Sequence, residues 1–137
     1  MVYFTIAIPS KGVLAKPCQK LVEQLGFSNN SNGREYLIKA NGGKYLFLLA
    51  RAKDIPSYVD AGVADIGITG LDLVKEKNAN VTKLLDLPFG YCRLVYATPI
   101  NATQAPTRVA TAFPNLSQEF LDSRGIDARI ICLSGAV

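Results

Sequence analysis

The chain has 137 residues, with 15 Lys and Arg against 11 Asp and Glu for a formal net charge of +4, and is 49% hydrophobic and 19% charged. That composition fits a soluble globular protein with one substantial core, is short for two complete domains, and excludes a disordered or low-complexity chain. The positive excess favours an anionic partner, but the basic residues are scattered and not interleaved with aromatics, so no nucleic-acid surface is expected.

Residues 3–8 form a β-rich run that Pro9-Ser10-Lys11-Gly12 breaks into a loop. The helix that follows carries Leu14, Cys18, Leu21, Val22 and Leu25 on one stripe, with Pro17 near its start and Gly26 just past its end. This βα unit leaves Lys11 at the carboxyl end of its strand, where a lysine is either an idle surface charge or a ligand group. A polar turn at 28–33 and the Gly42-Gly43 turn bracket residues 35–40, which with residues 44–50 predict an antiparallel pair. Arg34 precedes the first of these strands and Arg51 follows the second. Either can be a plain surface charge, but Arg51 comes straight off the apolar run Tyr45-Leu46-Phe47-Leu48-Leu49, which puts its side chain at the edge of a cleft.

Residues 51–73, RAKDIPSYVDAGVADIGITGLDL, hold a helix, a strand and a second helix start. Asp54 is placed to cap the first helix, Pro56 sits in its first turn and Gly62 stops it. Ile66, Gly67 and Ile68 suit a strand covered on both faces, as in a parallel sheet flanked by helices. Thr69 then reads as the N-cap of the next helix, with Asp72 completing an approximate capping box. A hydroxyl residue and Gly70 between a strand's carboxyl end and a helix's amino end mark where ligands bind in open α/β sheets. The plainer alternative is an ordinary strand-to-helix turn.

Residues 71–77 read as helix and 81–85 as strand. Asp86-Leu87-Pro88-Phe89-Gly90-Tyr91 reads as a crossover between lobes, followed by a strong strand at 92–97. A loop at 102–106, a strand at 108–111, a helix cap of Asn115 with Gln118, a helix end at Gly125 and a strand at 128–132 complete the chain. The expected organisation is a first α/β lobe over residues 1–91 and the start of a second over 92–137, left incomplete where a further turn and helix are expected.

Cys18, Cys92 and Cys132 lie far apart with no CxxC pair, and the chain has no histidine, so reduced, packed thiols are expected rather than metal ligands. The opening MVYFTIAIP is too short and too weakly basic for a secretory signal, and no later stretch approaches a membrane span. A cytoplasmic location without a membrane partner is the expectation.

IAIPSKGVL at 6–14, LLARAKDIPSYVDAGVADIGITGLDLV at 48–74, LLDLPFGYCRLVYATP at 84–99, RVATAFPNL at 108–116 and GIDARIICLSGAV at 125–137 together resemble the ATP phosphoribosyltransferase family, which opens histidine biosynthesis. The resemblance covers nearly the whole chain, in order and at the family's spacing. It implies a two-lobed α/β fold like the type II periplasmic binding proteins, truncated here in the second lobe, with the active site between lobes. The implied reaction joins N1 of the ATP adenine to the ribose of phosphoribosyl pyrophosphate (PRPP), releasing pyrophosphate, with Mg2+. The implied partners are ATP and PRPP, further copies of the chain in a homo-oligomer and, as an option, a regulatory subunit. Such chemistry needs positioning and charge stabilisation more than proton abstraction, so a chain without histidine is compatible with it.

Carried over residue by residue, Lys11 matches the family's loop lysine, and Arg34 and Arg51 match two arginines lining its polyphosphate region. These three are the expected catalytic residues. Gly12, Thr69, Gly70 and Asp72 are expected to bind substrate, with helix capping as the alternative for Asp72. No metal ligand is assigned. Val13 stands where the family has arginine and Ala52 where it has proline. The family's Ser/Thr-Gly-x-Thr-Leu phosphate loop is not among these 137 residues, so this form is expected to be inactive. The alternative is a two-lobed module that holds an amino acid or similar small anion at the Thr69-Gly70 turn without turnover.

Overall fold

Strand β1, Phe4–Pro9, lies between two parallel neighbours. Strand β3, Tyr45–Ala50, pairs along its whole length, from Phe4↔Tyr45 to Pro9↔Ala50. On the other side β4, Ile66–Gly67, pairs at Ile6↔Ile66 and Ala7↔Gly67. Strand β2, Leu37–Ala40, joins β3 antiparallel through the turn Asn41–Gly43, so the sheet order is β2-β3-β1-β4. This computed structural model describes residues 2–27 and 37–134. The polar turn expected at 28–33, Arg34 and the first residues of the strand expected at 35–40 lie outside the described residues.

Adjacent strand residues point to opposite faces of a sheet, and the two faces of β1 bury different helices. Ile8 packs with Phe47 of β3 and with Cys18 and Val22 of helix α1, Ala15–Gln24. Ala7 packs with Ala50, with Ala64 and with Ile55 of helix α2, Ile55–Asp60. The buried stripe of α1 is narrower than its sequence suggests, because Leu25 falls beyond the last turn and is exposed. Helix α2 begins after Asp54, as expected, but the Asp54 carboxylate makes no capping bond.

Strand β4 departs from expectation. It is an edge strand two residues long, with Ile66 only half-buried, rather than one covered on both faces. Its apolar run reflects the single covered face, where α2 comes so close that only glycine fits. A Cβ on Gly67 would stand 2.5 Å from Ile55 Cγ2 and 3.0 Å from Val59 Cγ2. Helix α3, Leu71–Lys77, follows, with Asp72 in its first turn and Lys75 and Lys77 in its last, the charge order that suits the helix dipole.

The strands expected at 81–85 and 92–97 form no ladder among the described residues. A β-rich composition favours extended backbone, but a strand also needs a neighbour to take its N–H and C=O groups, and composition does not name that neighbour. Leu84 and Leu85 are accordingly about three-quarters exposed, at 75% and 74%. Phe89 packs onto the cluster of Ile8 and Phe47, and Gly90 lies directly against Leu14.

The chain divides into two compact units, Met1–Tyr91 and Cys92–Val137. The second contains a parallel βαβ motif: β5, Arg108–Thr111, helix α4, Pro114–Arg124, and β6, Arg129–Cys132. Helix α4 starts one residue before the expected Asn115 cap. Phe113 holds the N-cap position, and its N–H donates to Thr111 Oγ1 at 2.9 Å. Gly125 ends the helix, as expected. All three cysteines are free, but packing holds only for Cys18, since Cys92 and Cys132 are exposed. No helix of the described residues is long and apolar enough to cross a membrane.

Two outcomes follow from this packing. Gly67→Ala must push α2 off β4 and should cost about 1–3 kcal/mol, read as a lowered melting temperature; an unchanged melting temperature would show that Ile55 yields freely. Burial pushes the Cys18 thiol from 9.0 up to about 11, so at pH 8 it carries almost no thiolate, the reactive form. Iodoacetamide at that pH should label Cys92 and Cys132 and spare Cys18 until denaturant is added, as peptide mass mapping would detect.

Candidate functional site

Strands β1, β3 and β4 are parallel, so the loops that follow them emerge on one edge of the sheet. The chain leaves β1 toward the face covered by α1 and leaves β3 toward the face covered by α2. Neighbouring strands whose connections depart to opposite faces leave a crevice at their carboxyl ends, where open α/β sheets bind ligands. Here that switch point lies between Pro9 and Ala50, which are register partners. Ser10 closes its floor by donating its N–H at 2.9 Å and its hydroxyl at 3.3 Å to the Ala50 carbonyl.

Lys11 and Arg51 flank this crevice, each one or two residues past a paired strand end. Both are exposed, and neither enters an ion pair among the described residues. Two cations with no carboxylate partner among the described residues suit an anionic ligand by charge. Gly12 next to Lys11 has φ +84, the left-handed region that favours glycine, and a Cβ there would meet nothing within 4 Å. The glycine therefore serves the turn of the loop and not a tight contact.

The Thr69-Gly70 turn stands at the end of β4, on the far side of β1. Thr69 is not the N-cap of α3; Gly70 holds that position, without a side-chain cap. The Thr69 hydroxyl instead donates to the Ala52 carbonyl at 2.6 Å, reaching 17 residues back to the turn after β3. Asp72 Oδ1 accepts the Leu73 N–H at 2.9 Å, so this carboxylate serves the first turn of α3. A Cβ on Gly70 would collide with Asp72 Oδ1, so the glycine makes room for that carboxylate.

The structure thus brings Lys11, Gly12 and Arg51 to the switch point and gives Thr69, Gly70 and Asp72 internal tasks beside it. Arg34 lies outside the described residues. Sequence reasoning missed Ser10 and the Ala52 carbonyl, and no local signal marks them, because their partners lie 40 and 17 residues away. Among the described residues no three of His, Cys, Asp and Glu gather to hold a metal ion. In the second unit, Thr111 at the end of β5 accepts the Ser117 hydroxyl at 3.0 Å and so holds the β5–α4 turn.

A family model described as HisG, ATP phosphoribosyltransferase, matches residues 51–137. The ATP phosphoribosyltransferase of Salinibacter ruber is 40% identical over 138 residues, covering 96% of this chain and 49% of that protein. That of Methanopyrus kandleri is 40% identical over 139 residues, with the same coverage. The chain spans about half the length of the curated relatives it matches. Among solved structures, the ATP phosphoribosyl transferase (HisG:HisZ) complex from Thermotoga maritima superposes with a TM-score of 0.80 at 33% identity, covering 98% of this chain and 66% of that one.

Because Arg51 is exposed and makes no ion pair among the described residues, Arg51→Ala should leave the melting temperature nearly unchanged, a stability effect within about 0.5 kcal/mol. Its affinity for inorganic pyrophosphate should fall roughly tenfold by calorimetry, with Arg51→Lys recovering only part because an ammonium lacks the bidentate fork. A lowered melting temperature with unchanged pyrophosphate affinity would make Arg51 a structural residue.

Proposed function

The chain belongs to the ATP phosphoribosyltransferase (HisG) family, and from that membership we propose that the protein transfers the phosphoribosyl group of PRPP to N1 of the ATP adenine, releasing pyrophosphate, in the first step of histidine biosynthesis. The observation that carries the proposal is the pair of cations, Lys11 and Arg51, on either side of the β1/β3 switch point, neither in an ion pair among the described residues. The N1 lone pair forms the bond to ribose C1′ as the bond from C1′ to the pyrophosphate oxygen breaks, and pyrophosphate departs with that electron pair. The nucleophile needs no base, so the main tasks of the protein are to align the two substrates and to stabilise charge on the leaving group.

Arg51 and Lys11 take the second task, with Arg34 joining them on the strength of its motif alone. A guanidinium at the end of a paired strand grips two phosphate oxygens from a rigid mount. Gly12 and the turn of Thr69, Gly70 and Asp72 contribute to substrate binding. Mg2+ is proposed to arrive with the substrate, on the PRPP pyrophosphate, in the way this ion commonly accompanies phosphates.

Met1–Tyr91 is proposed as the first lobe of a two-lobed type II periplasmic-binding-protein-like fold and Cys92–Val137 as the start of the second. A cytoplasmic homo-oligomer is the proposed setting, and the HisG:HisZ composition of the Thermotoga maritima complex supports a second subunit as partner.

The test is pyrophosphate release from ATP and PRPP by the intact gene product, with a HisZ-type partner supplied. Release should require magnesium and both substrates, and Arg51→Ala should lower kcat roughly a hundredfold. Binding of either substrate without turnover under those conditions would favour the non-catalytic anion-binding module instead.

A further inference from the structure

Arg51 presents a physical problem. Its side chain is exposed and makes no ion pair among the described residues, so nothing at its tip fixes where it points. Its placement depends on the backbone that carries it. On one side that backbone is secured by β3, whose last residue, Ala50, is buried and accepts the Ser10 N–H. On the other side lies the four-residue turn 51–54, closed by the Asp54 N–H donating to the Arg51 carbonyl at 2.9 Å. The Asp54 side chain adds no capping bond where α2 begins. A tie from another element reaches this turn instead: the half-buried Thr69 hydroxyl, 2.6 Å from the Ala52 carbonyl. That is a short O–H···O bond, within the strong range for the type.

We infer, given Arg51 as the polyphosphate ligand proposed above, that Thr69 is a positioning residue: its hydroxyl fixes the Ala52–Lys53 peptide, one residue beyond Arg51 in the same turn, and thereby holds the guanidinium over the β1/β3 switch point. The hydroxyl has a single proton, and the Ala52 carbonyl takes it, so Thr69 has none left to donate to a phosphate oxygen. Its effect on an anionic ligand passes through Arg51. The same bond links the end of β4 to the turn after β3, across β1.

A double-mutant cycle on the purified chain, with inorganic pyrophosphate as the probe and calorimetry as the readout, tests this. Thr69→Val keeps the shape and deletes the bond; it should weaken pyrophosphate binding roughly fivefold, the scale of one net hydrogen bond. Thr69→Ser restores the hydroxyl and should recover most of that loss. In an Arg51→Ala background Thr69→Val should have no further effect. A loss that persists undiminished in that background would mean the hydroxyl touches the ligand itself and would overturn the inference. So would Thr69→Ser binding no better than Thr69→Val, or Thr69→Val binding as wild type while Arg51→Ala does not. If Arg51→Ala alone binds as wild type, the assignment of Arg51 fails first, and that outcome is distinct from the others. Melting curves on every variant confirm that the compared proteins are folded.

Discussion

The parallel pairing of β1 with β3 over six residues is the constraint from which the first unit follows. It sets Ala7 beside Leu48 and Ile8 beside Leu49, so that one strand supplies both faces of the sheet with apolar side chains. Each face then needs its own cover, and α1 and α2 provide it through Cys18 with Val22 and through Ile55. Because the two helices lie on opposite faces, the chain must diverge where β1 and β3 end. The crevice is a consequence of burying both faces, and Lys11 and Arg51 stand at it because they are the first cations after each strand.

The two units differ in how far they satisfy the demands of a parallel sheet. Such sheets are stable when both faces are covered. In the first unit the cover is present, and nine residues in all across the described chain are buried hydrophobics, eight of them in the two clusters of this unit. In the second, α4 packs against β6 and buries only Leu121 among its described residues, while Ile131 and Leu133 stay 39% and 51% exposed. Tyr96 packs on Phe120 with ring centroids 5.6 Å apart, and the Arg124 guanidinium lies 5.5 Å over the same ring. These contacts shelter one side of α4 without making a second core.

Polar groups around the first unit's site sort by what they are spent on. Ser10, Thr69 and Asp72 each engage a backbone group, and each such bond crosses or caps a turn. The ion pair of Lys83 with Asp86, at 3.0 Å, is solvent-exposed on both sides and contributes little to stability. Lys11 and Arg51 enter no ion pair among the described residues. A charge left unpaired at a strand end is tolerable because water solvates it, and it is useful only when a ligand replaces that water.

Local pattern in the sequence determined the elements whose signals lie within a few residues. The stretches read as helix at 71–77 and strand at 108–111 form as expected, and Gly26, Gly62 and Gly125 each fall just past a helix, because capping and periodicity act over one or two turns. The same logic put Lys11, Arg51 and Thr69 at the carboxyl ends of strands. Strand order was not legible: nothing local says that β1 neighbours both β3 and β4, or that β4 is an edge. For that reason the runs at 81–85 and 92–97 look like strands in sequence yet have no ladder among the described residues, since pairing depends on a partner and composition supplies only the extended backbone. Thr69 shows the same limit at one residue. Its spacing to Asp72 fits a helix cap, but the tertiary fold brings the Ala52 carbonyl within 2.6 Å of its hydroxyl, and a single proton goes to the acceptor that packing places there.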